Sequence, residues 1–194
     1  MTAARSLRNS ADVEAMRDRA PEGTRAEIIH GSLLMAPAPR ASHQFAMGRL
    51  FRALDTALPL RRGRGEEPPS GWLFLLGPEV HLGTGPDKLN PDVAGWRAER
   101  APSLDEYPIT LVPDWVCEVL SPSTEVYDRA TKLPLFAQHG ARHAWLLDPD
   151  ERALEAFELS ASGARQIARY SGDATVSDVA PFEGVSLALA TLWG

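Results

Sequence analysis

The stretch Trp115-Val116-Cys117-Glu118-Val119-Leu120 is apolar on both faces except for one glutamate. Such a run predicts a central strand with both faces covered, and so a layered fold with a sheet at its middle. A carboxylate buried there without a partner costs several kcal/mol. Glu118 must therefore be protonated, salt-bridged, placed at the exposed end of its strand, or bound to a metal.

The surrounding pattern supplies the rest of a mixed α/β fold. Residues 26–35 read as two strands folded about Gly31, and residues 42–58 as a helix capped by Ser42, with Phe45, Ala46, Leu50, Ala53, Leu54 and Ala57 at helical spacing. Strands are expected over 72–76, 79–82 and 92–96, and again over 144–148. Residues 125–139 read as a helix that kinks or starts a fresh turn at Pro134, which lacks an N–H. Residues 153–159 and 165–170 alternate as hairpin partners, and the tail from 176 to 193 is apolar and irregular and is expected to pack on the sheet. A short helix is expected from Ser10 to Arg19. Residues 1–10 read as a flexible lead-in and 11–194 as one domain, a size that suits 194 residues.

Charge narrows the function classes. Twenty basic against 26 acidic residues leave a net charge of −6, which excludes nucleic-acid binding through bulk positive charge. Arg61, Arg62 and Arg64 form the one dense basic patch, which can meet a nucleic-acid backbone but reads more simply as a solvated loop balanced by Glu66 and Glu67. A single cysteine, Cys117, excludes an internal disulfide and a cysteine-based zinc cluster, and strand alternation turns it away from Glu118 into the core. No apolar stretch approaches the roughly 18 residues of a spanning helix. Met1 to Ser10 carries two arginines with no apolar run behind them. The expectation is a cytoplasmic protein with no membrane partner.

Asp92 opens a strand in Asn90-Pro91-Asp92, 26 residues before Glu118, far enough for the two strands to lie side by side. Two carboxylates converging at the mouth of a sheet make a hard-cation site of the Mg²⁺ or Mn²⁺ kind. Taken singly, Asp92 also reads as a turn residue and Glu118 as half of a structural salt bridge. Lys132 follows on the next helix and can return over the acids to stabilise developing negative charge. Its spacing from Asp128, i to i+4, by itself favours an ordinary surface ion pair. Glu79 is a candidate third acid or an exposed strand glutamate. His43, near a helix N-terminus, reads as a capping or packing residue that can also face a cleft. The remaining histidines have no zinc-ligand spacing, and no serine sits in a Gly-x-Ser-x-Gly elbow.

Pro91-Asp92, the string Cys117-Glu118-Val119-Leu120-Ser121-Pro122-Ser123-Thr124, then Asp128, Lys132 and Phe136, resemble the Uma-type family of restriction endonucleases. Glu27-Ile28-Ile29-His30-Gly31, His43-Gln44 and Gly140 through Pro149 fit the same pattern, which covers residues 20–190. That family lies in the PD-(D/E)XK nuclease superfamily. The resemblance implies a mixed sheet flanked by helices and Mg²⁺-dependent cleavage of DNA phosphodiesters. Asp92 and Glu118 would be metal ligands, with the Val119 carbonyl as a further one. The superfamily lysine two residues after the second acid is replaced here by Leu120, so Lys132 takes that role. The same residues leave open a catalytically silent binding or assembly module, or a phosphoesterase acting on RNA or a small nucleotide. A homodimer would offset the charge and suit double-strand cleavage.

Overall fold

A computed structural model describes residues 10–63 and 67–194. The lead-in over 1–9, with Arg64 and Glu66 of the basic loop, lies outside the described residues. The chain forms α1 (Ser10–Arg17), β1 (Thr24–Ile29), β2 (Ser32–Pro37), α2 (Ala41–Ala57), β3 (Trp72–Leu76), β4 (Val80–His81), β5 (Lys88–Leu89), β6 (Val93–Arg97) and β7 (Trp115–Val119). Then come α3 (Glu125–Tyr127), a π-helical turn (Asp128–Lys132), α4 (Leu133–Gln138), β8 (His143–Asp148), β9 (Ala153–Ser160), β10 (Gly163–Ser171), β11 (Thr175–Ser177) and β12 (Ser186–Ala188).

Six strands make the central sheet in the order β10-β9-β8-β7-β6-β3, with β7 and β8 parallel and every other pair antiparallel. As its composition requires, β7 sits inside this sheet. Alternation sends Trp115, Cys117 and Val119 to one face, where Leu50 and Leu54 of α2 and the C-terminal segment with Phe182 cover them. Val116 and Leu120 go to the other face, in one cluster with Leu133, Leu135 and Phe136 of α4, Val80 and Leu89 of a second sheet, and Leu82 just beyond β4. That second sheet has the order β2-β1-β5-β4. Gly95 lies where a Cβ would come within 3.0 Å of the Phe74 ring and 3.1 Å of the Trp115 ring, so the aromatic layer closes over bare backbone.

Several expectations are refined. Ser42 does not cap α2: the helix begins at Ala41 after Arg40, with no side-chain capping bond. β5 is two residues long and shows no periodicity in the sequence; pairing to β1 and β4 creates it. Pro134 does start a fresh helical turn, preceded by a π turn that periodicity does not reveal. The C-terminal tail is less irregular than expected, since β11 and β12 pair within it. The turn about Gly31 has positive φ at both His30 (48°) and Gly31 (73°), the backbone of a tight hairpin.

Candidate active site

β6 and β7 run antiparallel with Val93 opposite Cys117, and one step further places Asp92 opposite Glu118. Both side chains fall on the face that carries α4, at the end of the sheet where β6 begins and β7 ends. Each is at most 2% exposed. A cleft of about 280 Å³ opens above them, walled by β2 and the Pro37–Arg40 segment on one side and by Ser121, Ser123, Thr124 and Tyr127 on the other.

Asp92 is held from three directions. Its Oδ1 accepts from Arg25 at 2.5 Å, and its Oδ2 accepts from the Val119 N–H at 2.7 Å and from His43 Nε2 at 3.1 Å. Burial alone would raise its pKa, but the His43 hydrogen bond and the Arg25 charge outweigh that and hold it at about 2. Glu118 has the opposite balance. Burial and the nearby Asp92, Asp128 and Glu27 push its pKa well above the carboxylate range against the pull of Lys132.

The Lys132 ammonium sits among three carboxylates: Glu27 at 3.0 Å, Glu118 at 3.3 Å and Asp128 at 3.5 Å. Burial works against its charge, yet these acids together with Asp92 raise its pKa above the ordinary lysine range. The Asp128–Lys132 pair therefore exists, but as a buried pair facing the cleft and not the surface pair that spacing favours. The π turn brings both side chains inward.

The structure thus brings together Asp92, Glu118, Lys132 and Val119. Val119 enters the network through its N–H, which donates to Asp92. Glu79 does not line the cleft. It pairs with Arg17 of α1, with His81 at 2.7 Å and with the Tyr107 hydroxyl at 3.1 Å, and so ties α1 to β4. Glu27 of β1 stands in the cluster as an acid in its place. Arg25 escapes a linear reading, and Glu27 and Asp128 stand in the family pattern without an assigned role, because β1 and the π turn reach the cleft only through tertiary packing. His43 had a visible signal, an imidazole at the start of the helix, and it faces Asp92 instead of capping.

Whether a divalent cation suits this cleft can be judged from its donors. Four carboxylates, Glu27, Asp92, Glu118 and Asp128, meet two permanent cations, Arg25 and Lys132, which leaves two negative charges uncompensated when all the acids ionise. A carboxylate has about four lone-pair positions, and Asp92 fills three. Glu118 meets Lys132 through Oε1 at 3.3 Å. Surplus negative charge on hard carboxylate oxygens fits Mg²⁺ or Mn²⁺. As the side chains stand, no group of three His, Cys, Asp or Glu among the described residues is arranged as a ready-made cage.

A carboxylate pair at a sheet end with a returning lysine can now be set beside known proteins. The family described as Uma2, putative restriction endonuclease, matches residues 11–190. The chain belongs to this family. Four chains among solved structures also match. One is a crystal structure described as a putative nuclease belonging to DUF820 from Anabaena variabilis ATCC 29413, 19% identical over 93% of this chain and 96% of that one, with a TM-score of 0.67. At that identity the likeness establishes the restriction-endonuclease-like fold. No curated protein matches the sequence. No helix among the described residues is long and apolar enough to cross a membrane.

Proposed function

We propose that this chain is a divalent-cation-dependent nuclease that hydrolyses phosphodiester bonds of DNA in the cleft above Asp92 and Glu118. The observation that carries the reading is the cross-strand placement of these two acids with Lys132 returning over Glu118 at 3.3 Å. Asp92 and Glu118 would hold Mg²⁺ or Mn²⁺. That ion polarises a phosphoryl oxygen and lowers the pKa of bound water when present.

The chain's own groups have separate tasks. Arg25, His43 and the Val119 N–H fix the Asp92 carboxylate at the cleft floor. Lys132 supplies a positive charge that stabilises the developing negative charge of the pentavalent phosphorus centre. Its elevated pKa keeps it protonated at neutral pH, so it acts as an electrostatic group and not as a base. Glu118, pushed toward protonation, is the group whose charge an arriving cation would restore.

A second reading, the catalytically silent module, is favoured by one specific feature: Asp92 already satisfies three donors without any ion. Calorimetric titration with Mn²⁺ separates the two, beside hydrolysis of bis(p-nitrophenyl) phosphate and of a mixture of supercoiled plasmid and single-stranded circular DNA. The nuclease reading expects heat of binding and cleavage by the native chain, with both abolished in Asp92→Ala. Absence of heat and of hydrolysis, or equal cleavage by both proteins, overturns it.

A further inference from the structure

The depth and charge of the cleft restrict what kind of phosphodiester can enter it. Asp92, Glu118 and Lys132 are at most 4% exposed, at the floor of a space of about 280 Å³. That is just below the range for small-molecule pockets, about 300–1,000 Å³. Duplex DNA is a stiff rod with a persistence length of about 50 nm, and bending it costs several kcal/mol over a short site. A continuous duplex lying across the lips of this cleft leaves its phosphates outside, whereas a single strand can bend in.

Electrostatics agree with the shape. Proteins that grip duplex DNA typically neutralise about 6–10 phosphates. Among the described residues, the cations lining this cleft are Arg25, Arg40 and Lys132. Arg25 and Lys132 are committed to the buried acids, which leaves Arg40 at the lip, 67% exposed with Asp150 no nearer than 3.9 Å. The net charge of −6 opposes a long polyanion further. The walls offer what a single strand uses instead. Tyr127 is a half-buried ring on which a base can stack, and Leu34 and Pro37 add apolar surface opposite. The Ser121 hydroxyl, within 3.0 Å of those of Ser123 and Thr124, anchors a hydroxyl cluster that can donate to phosphate oxygens.

Resting on the phosphodiesterase reading of the site, we infer that the cleft takes a locally single-stranded segment, such as an end, a flap or an unpaired stretch, and not continuous duplex. Arg40 holds one phosphate at the lip and Tyr127 stacks the adjoining base.

Fluorescence anisotropy with the native chain tests this, using a short labelled single-stranded oligodeoxynucleotide and a covalently closed dumbbell duplex of the same sequence, with Ca²⁺ replacing Mg²⁺. The single strand should bind at least about tenfold more tightly, a difference of about 1.4 kcal/mol. Its log–log salt slope should be about −0.7, the value for one phosphate contact on a single strand. Arg40→Ala should flatten that slope, and Tyr127→Ala should weaken binding while leaving the slope alone. Equal or tighter binding of the dumbbell, a steep salt slope, or no binding of either DNA overturns the inference. Hydrolysis of bis(p-nitrophenyl) phosphate, run in parallel with Mn²⁺, shows which claim has failed. If the ester is cleaved, only the single-strand inference falls; if it is untouched, the phosphodiesterase reading falls as well.

Discussion

Lys132 carries more of the local balance than any other side chain in the cleft, because three buried carboxylates approach it within 3.5 Å. Removing one member of a buried ionic cluster leaves the others uncompensated, at a cost of about 3–5 kcal/mol. Lys132→Ala should lose about that much in urea unfolding at pH 8. The loss should shrink toward pH 5, because Glu118 and Asp128 already have raised pKa values and neutralise themselves as pH falls. Asp92 has the opposite sign: with its pKa lowered to about 2, its contribution is present above the ordinary value of 3.8 and disappears as pH falls through about 2. His143 offers a test remote from the cleft. Burial lowers its pKa below 6.5, so the unfolded chain binds more protons than the folded one just below that pH. Stability should therefore fall as pH drops below 6.5, and His143→Gln should flatten this part of a Tm-against-pH profile.

The decisive element is the π turn between α3 and α4. Widened turns of this kind recur at functional sites because they redirect the side chains they carry. Here the turn points Asp128 and Lys132 into the cleft, while Arg129 points the other way and clamps Glu155 of β9 through two bonds of 2.7 and 3.0 Å. Glu155 is buried on the same sheet face as Glu118, so the clamp fastens the turn to the sheet on which the candidate ligands stand. Charge-assisted hydrogen bonds of this type contribute about 1.5–3 kcal/mol. Glu155→Ala should destabilise the chain by about 2 kcal/mol, and a double-mutant cycle with Arg129→Ala should show a coupling of about 1–3 kcal/mol. Additive losses would mean that the clamp does not act as a unit.

Across the whole molecule, one aromatic cluster joins the C-terminal segment to the central sheet. Phe182 meets Trp72, Phe74, Trp115 and Trp145 with ring centroids 5.0, 5.7, 5.0 and 5.2 Å away. The apolar tail, which its composition leads one to expect packed on the sheet, is thus a wall of the main core. Phe182→Ala should cost about 3–5 kcal/mol, from lost burial plus the cavity left behind, and calorimetry should show a correspondingly lower Tm. Because β6 and β7 stand on this layer, the same variant should weaken Mn²⁺ binding if the proposed metal pair depends on their register.

Much of this was legible in the linear chain because it follows from local chemistry. An apolar hexamer interrupted by one acid has to be a covered strand. Alternation then separates Cys117 from Glu118, and an acid opening the neighbouring strand can meet that glutamate only at a sheet end. The sequence by itself thus pointed to the central strand and to Asp92 and Glu118 on neighbouring strands, while the spacing of Lys132 favoured a surface pair and only the family resemblance turned it toward the acids. The tertiary structure alone decided that Glu27 and not Glu79 joins the acids, that Arg25 and His43 hold Asp92, and that the Asp128–Lys132 pair is buried. Those contacts depend on how a second sheet and a π turn dock on the first. Docking is set by shape and charge summed over residues far apart in the chain, and no spacing along the backbone records it.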